Sequence, residues 1–110
     1  MTNFSFAVLI SGNGSNLQAM IDAIKGNQIY GKICCVLSNK EDAYGLKRAQ
    51  EVKIPTEVVS NKDFETREDF DTEMVRVLSI YNPDLVVLAG FMRILSPVFI
   101  NAFPGKILNI

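Results

Sequence analysis

Apolar residues in this chain switch repeatedly between short unbroken runs and helical spacing, and the alternation recurs four times. A short apolar run bounded by turn formers suits a buried strand, whereas apolar residues at i, i+3, i+4 and i+7 suit one face of a helix. Residues 4–10 are the first run, closed by Ser11-Gly12-Asn13-Gly14-Ser15-Asn16. Leu17, Met20, Ile21 and Ile24 then share one helical stripe, which Gly26 and Asn27 can end. Residues 33–37 predict a second strand, residues 46–52 a short helix stopped by Ile54-Pro55, and residues 56–59 a third, shorter strand. Thr66 with Asp69 three positions on marks the start of a longer helix. Phe70, Met74, Val77, Leu78 and Tyr81 form its stripe, acidic residues crowd its first turn, and Asn82-Pro83 ends it. Residues 85–89 read as a strand buried on both faces, as a central parallel strand is. Ser96-Pro97 can cap and open one more short helix, Pro104-Gly105 closes it, and Lys106-Ile107-Leu108-Asn109-Ile110 begins a fifth strand. Strands and helices alternating through right-handed crossovers predict an α/β fold: a Rossmann-like open parallel sheet with helices on both faces, ending at the start of strand five. Ligands of such sheets sit beyond the carboxyl ends of the strands, near the reversal of strand order. Residues 12–16, residues 90–95 and Asn109 should converge there.

At 110 residues, 48% of them apolar, the chain can build one core and not two. Eleven Lys and Arg stand against twelve Asp and Glu, for a formal net charge of -1. That balance provides no basic field for nucleic acid or for an anionic membrane surface, so neither is an expected partner. Any phosphate has to be held by local geometry. No apolar run reaches the ~20 residues of a membrane span, and Met1-Thr2-Asn3 lacks the basic start of a secretion signal, so a cytoplasmic location is expected. Cys34 and Cys35 are adjacent, should point to opposite faces of a strand, and are expected as reduced core residues. Without further Cys, His or clustered carboxylates at ligand spacing, no metal is implied. Histidine is absent altogether, and with it the side chain that exchanges protons most readily near neutral pH.

The turn at residues 11–16 combines glycines, which let backbone approach a ligand closely, with the amides of a helix start, which carry partial positive charge. It suits a compact phosphate monoester, with Ser15 offering a hydroxyl. The plainer reading is an ordinary strand-to-helix turn that uses Gly for positive φ and Ser or Asn as a cap. Two nucleotide readings fail. A dinucleotide fingerprint needs a third glycine where Leu17 stands and an acidic residue after the second strand, where the chain has Ser38-Asn39-Lys40; a nucleotide P-loop needs a Gly-Lys-Ser/Thr that is not present.

Gly90-Phe91-Met92-Arg93-Ile94-Leu95 carries apolar side chains out of a buried strand, which invites a flat apolar ligand, although Met and Leu pack more often than they recognise. Arg67 reads most simply as a solvated charge near Glu68 and Asp71. Asn109 interrupts an apolar run and needs partners if buried, so it is either a ligand-facing residue or a satisfied structural one.

Taken in order, the segments at residues 9–19, 37–40, 88–97 and 108–110 closely resemble the phosphoribosylglycinamide formyltransferase family, folate-dependent enzymes of purine synthesis. The resemblance runs the length of the chain. Formyltransferases acting on methionyl-tRNA share the later segment but not the Ser-Gly-Asn-Gly-Ser-Asn turn. The resemblance implies transfer of a formyl group from 10-formyltetrahydrofolate to the amine of glycinamide ribonucleotide. It places the substrate phosphate on Gly14, Ser15, Asn16, Leu17 and Gln18, and the folate on Arg67, Met92, Arg93, Ile94 and Leu95. It makes Asn109 catalytic, its amide donating to the developing oxyanion. In the family the fifth strand continues through His-Pro-Ser, and a later aspartate supports that histidine. This sequence stops at Ile110, so it reads as a single amino-terminal half-domain over residues 1–110, expected to turn over only with a complementing carboxy-terminal half. A stand-alone, non-catalytic phosphate- or folate-binding module and an inactive fragment are the alternatives.

Overall fold

The computed structural model describes residues 4–110, so the argument from Met1-Thr2-Asn3 lies outside the described residues. In chain order the elements are β1 (Ser5–Ile10), α1 (Ser15–Lys25), β2 (Lys32–Ser38), α2 (Tyr44–Glu51), β3 (Thr56–Val58), α3 (Arg67–Tyr81), β4 (Leu85–Leu88), α4 (Pro97–Ala102) and β5 (Ile107–Asn109). A single 3₁₀ turn at Asn61–Asp63 is the one element the apolar pattern does not announce. The strands form one sheet in the order β3-β2-β1-β4-β5, and every neighbouring pair is parallel. This is the Rossmann-like α/β architecture expected from the alternation. Strand order reverses between β1 and β4, and β1 rather than β4 is the middle strand. Burial follows position: β1 is buried along its whole length, whereas both ends of β4 are only half-buried.

The period-two geometry of β1 divides the core. Phe6, Val8 and Ile10 pack with Leu17, Met20 and Ile21 of α1 and with Leu46 and Ala49 of α2. Ala7 and Leu9 face the other way, into Phe70, Met74, Val77 and Leu78 of α3 and Phe99 of α4. A parallel sheet has to be covered on both faces, and burying a side chain such as Phe70 or Phe99 contributes roughly 1.5–3 kcal/mol. The stripes read from the sequence are therefore the faces that pack.

Three local expectations need correction. The β1–β2 register slips between Phe6 and Ala7, which pair with Ile33 and Cys35 and leave Cys34 as the extra residue. That bulge turns both cysteines toward the same half of the core instead of opposite faces: Cys35 is fully buried, Cys34 half-buried, and both thiols are free. Ser96 precedes Pro97 at the start of α4, but its hydroxyl makes no cap; Ser96 Oγ is buried without a partner. Asp71 is no solvated neighbour of Arg67. It is fully buried, and its Oδ2 accepts the Ser96 N–H at 2.7 Å. The signals at the ends of α3 do hold: Thr66 Oγ1 accepts the Asp69 N–H at 3.1 Å, Glu68 and Asp69 lie in the first turn, and Asn82 ends the helix at φ 48°.

Candidate functional site

The site is set by how closely α2 approaches the turn that follows β1. Gly14 occupies the N-cap of α1 at φ 80°, ψ 26°, a left-handed conformation that lets the chain double back, and no side chain caps the helix. A Cβ on Gly14 would lie 2.6 Å from the Gly45 Cα, closer than such atoms approach, and a Cβ on Gly45 would lie 2.5 Å from Ile10 Cδ1. Two glycines thus allow the start of α2 to sit against the turn, where the Gly45 N–H donates to the Gly12 carbonyl at 3.0 Å. Arg48, one helical turn further along α2, grips the same turn from outside. Its Nε and Nη2 donate to the Asn13 carbonyl and Oδ1, and its Nη1 donates to Gln18 Oε1 at 3.3 Å.

The uncapped start of α1 leaves its first amides without intrahelical acceptors. Ser15 and Asn16 are exposed, and Gly14 is half-buried. The Leu17 side chain is wholly buried in the core, so only its backbone can face a ligand. Gln18 is already engaged: its N–H donates to the Gly14 carbonyl at 2.8 Å and its Nε2 to Asp22 Oδ1 at 3.0 Å. The cap from Ser or Asn required by the plainer reading of this turn is not made.

Across the reversal point, Ala89 N–H still pairs with the Leu9 carbonyl at 2.9 Å, after which Gly90 turns at φ 74° and the chain leaves the sheet. The segment at residues 90–95 is tied down at both ends. Met92 N–H donates to Ser11 Oγ at 2.8 Å, and Ser96 N–H donates to Asp71. Between these ties Met92 and Ile94 are 77% and 73% exposed, whereas Leu95 and Phe91 pack against the core. The Arg93 guanidinium lies 5.7 Å from the centre of the Phe70 ring, a cation held over an aromatic face. Asn109, the last residue of β5, pairs with Leu88 in the ladder and is exposed. The turn, the segment at residues 90–95 and Asn109 thus follow three neighbouring strands at the same end of the sheet. Arg67 stands at the start of α3, exposed and with no side-chain hydrogen bond among the described residues.

Sequence reasoning passed over Ser11, Asn39, Arg48 and Asp71. Ser11 and Asn39 each follow a buried apolar strand directly, and a polar residue at such a boundary is the signal that could have exposed them. Arg48 and Asp71 carry no such signal, because on a helix surface they look like any solvated charge. A polar cavity of about 440 Å³ also lies at the ends of β2 and β3, lined by Asn39, Lys40, Ser60, Asn61 and their neighbours. It borders Asn39, but neither the turn at residues 12–18 nor Asn109 lines it. Among the described residues no group of three or more Cys, Asp or Glu is placed to hold a metal ion, and no helix is long and apolar enough to cross a membrane.

A parallel sheet reversing beside a glycine turn, with an exposed apolar segment and a strand-end asparagine at the same end of the sheet, defines a Rossmann-like α/β type of domain. The model of the formyl transferase family matches residues 4–110, and the chain belongs to that family. Phosphoribosylglycinamide formyltransferase of Escherichia coli strain K12 is 53% identical over 106 residues, which are 96% of this chain and 50% of that protein. The Haemophilus influenzae phosphoribosylglycinamide formyltransferase is 51% identical, over 94% of this chain and 49% of its own length. Among solved structures, that of the Coxiella burnetii phosphoribosylglycinamide formyltransferase superposes with a TM-score of 0.92 at 44% identity, covering 98% of this chain and 51% of that one. The chain therefore spans about half the length of these relatives.

Proposed function

We infer that this chain carries the substrate-phosphate turn and part of the folate surface of an enzyme that transfers a formyl group from 10-formyltetrahydrofolate to glycinamide ribonucleotide. The observation that carries the reading is the uncapped start of α1, opened by Gly14 in a left-handed turn beside a segment with exposed Met92 and Ile94. A phosphate monoester meets the backbone of Gly14, Ser15, Asn16 and Leu17 and the Ser15 hydroxyl. Gln18 contributes through its side chain, once released from Arg48 or Asp22. Met92 and Ile94 offer an apolar face to a flat ring, Arg93 and Leu95 fix the backbone beside it, and Arg67 is an exposed cation for the carboxylate end of a folate.

The folate, when bound, supplies the formyl group. The Asn109 side-chain amide would donate a hydrogen bond to the formyl oxygen and hold the negative charge that collects there as the substrate amine bonds to the carbonyl carbon; the carbon–nitrogen bond to tetrahydrofolate would then break, the released nitrogen taking up the proton that the amine gives up. The proton lost by that amine needs a carrier, and these 110 residues contain no histidine. A histidine and an aspartate outside them fill that role. Residues 1–110 act as an amino-terminal, phosphate-binding half-domain in the cytoplasm, without metal, nucleic acid or membrane, and a complementing carboxy-terminal half completes the site. The half-length match to relatives named for this activity supports that division.

The test is formyl transfer from 10-formyltetrahydrofolate to glycinamide ribonucleotide by this chain, with and without a separate polypeptide covering the second half of its relatives. Turnover only in the mixture is the expected result. Turnover by the chain alone overturns the need for an outside proton carrier. Absence of turnover in the mixture, with no binding of either ligand to the chain, overturns the site.

A further inference from the structure

We propose that Ser11 is a positioning residue whose hydroxyl fixes the segment at residues 90–95 to the turn that leaves β1, so that one side chain sets the two halves of the site relative to each other. The proposal rests on the reading above for what the segment binds, but the tie itself stands on geometry. Ser11 is 5% exposed, and both sides of its hydroxyl are used: Oγ accepts the Met92 N–H at 2.8 Å and donates to Asn39 Oδ1 at 2.6 Å. Asn39 is 2% exposed, and its Nδ2 donates in turn to Asn61 Oδ1 at 3.0 Å. A serine hydroxyl has one proton. Because Asn39 presents its oxygen, that proton points away from Met92, and the lone pair faces the Met92 amide.

All three hydrogen bonds run in one direction, from Met92 through Ser11 and Asn39 to Asn61, and bonds arranged head to tail in a buried setting strengthen one another. The chain joins residues that follow four different strands: Ser11 after β1, Asn39 after β2, Asn61 after β3 and Met92 after β4. At its far end the segment is fixed through Ser96 to Asp71 on α3. Met92 and Ile94 therefore project from a backbone held at both ends, which lowers the ordering cost of presenting apolar side chains to a ligand. Of the two ties only Ser11 belongs to the turn, one residue ahead of Gly12, so displacement of the turn by an anion is passed directly to Met92.

The experiment compares the wild-type chain with Ser11→Ala, Ser11→Thr and Asn39→Ala. Amide hydrogen exchange is read at Met92, with Ala89, which pairs with Leu9 in the sheet, as the internal control for an intact fold. Ser11→Ala should lower the protection of Met92 by about tenfold, the scale of one lost hydrogen bond to a buried group, and leave Ala89 unchanged. Ser11→Thr, which keeps the hydroxyl, should restore it. Asn39→Ala, which leaves the hydroxyl in place but without its acceptor, should give a smaller loss. Calorimetric titrations with 10-formyltetrahydrofolate and with glycinamide ribonucleotide supply the second readout. Ser11→Ala should weaken the folate several-fold more than the ribonucleotide, a split that a general loss of stability does not produce. Unchanged Met92 exchange in Ser11→Ala, or equal weakening of both ligands, overturns the proposal. If the wild-type chain binds neither ligand and the mixture with the second half does not turn over, the functional reading falls, and the exchange at Met92 by itself decides the tie.

Discussion

Arg48 holds Asn13 at two atoms, its Nε donating to the backbone carbonyl at 2.8 Å and its Nη2 to Oδ1 at 2.6 Å. The same guanidinium lies 5.0 Å from the centre of the Tyr44 ring, so stacking and a forked hydrogen bond act on one planar group. A lysine could supply the charge but not the fork. Arg48→Lys should therefore behave nearly like Arg48→Ala, each lowering the stability of the folded chain by about 1 kcal/mol and weakening glycinamide ribonucleotide several-fold. Urea denaturation and calorimetry measure the two effects, and full retention of both by lysine would show that charge alone matters.

The glycine contact predicts an ordered pair of substitutions. Gly14→Ala places a Cβ against backbone at 2.6 Å and forces alanine into positive φ, whereas Gly45→Ala meets first the end of the Ile10 side chain. Both should destabilise, Gly14→Ala by about 2–4 kcal/mol and Gly45→Ala by less. The midpoint of urea unfolding at constant slope reports the order, and a reversal would mean that the turn and α2 separate easily.

Asp71 is expected to matter for the same segment from below. Asp71→Ala leaves the Ser96 N–H buried without an acceptor and should cost about 2–4 kcal/mol, whereas Asp71→Asn keeps an acceptor oxygen and should cost clearly less. Equal losses in the two variants, read from thermal or urea unfolding, would mean that the hydrogen bond is not what holds the segment.

Tyr81 and Glu57 give a pH signature. The phenol donates to the Glu57 carboxylate, and this hydrogen bond, with some burial and the carboxylate charge, pushes the Tyr81 pKa up from 10.0 to about 12. A group whose folded pKa is raised contributes stability that is fully present below its unfolded pKa and lost as pH rises through the folded one. The contribution of Tyr81 is thus intact below pH 10 and disappears between pH 10 and about 12. In an ultraviolet titration Tyr81 should ionise near 12, and Glu57→Gln should bring it back toward 10.0.

The two adjacent thiols should separate chemically. The neighbouring Cys35 thiol, partly opposed by burial, draws the Cys34 pKa below the usual thiol value, while Cys34 and burial push the Cys35 thiol up. Alkylation followed by peptide mapping should show Cys34 modified at lower pH than an ordinary thiol, and Cys35 untouched until the chain unfolds. Equal modification of both in the folded protein would contradict the burial of Cys35.

The strands and helices were legible because their signal is local. Leu17, Met20 and Ile21, or Phe70, Met74, Val77 and Leu78, repeat at helical spacing whatever they face. The site was only half legible. The glycine turn and the apolar segment after β4 stand out as short strings, but the hydrogen bond from Met92 to Ser11 joins residues 81 positions apart, and no string contains it. Asp71 was passed over for a related reason: a carboxylate on an amphipathic helix looks like any surface charge, and its burial depends on a partner, Ser96, 25 positions further on. The bulge at Cys34 was hidden because it is a property of the pairing between β1 and β2, not of either strand alone.

The middle position of β1 has a consequence for synthesis on the ribosome. β1 leaves the exit tunnel first and can pair early with β2, but its other neighbour is distant in sequence: Ser5 bonds to Asp84 across 79 residues. Until β4 has been made, one edge of the most buried strand in the molecule stays unsatisfied while its side chains are already apolar enough to associate with another nascent copy. The nascent chain is therefore most exposed to aggregation between the completion of β2 and the arrival of β4. Codon changes that slow elongation in that interval should lower soluble yield more than the same changes placed after β4.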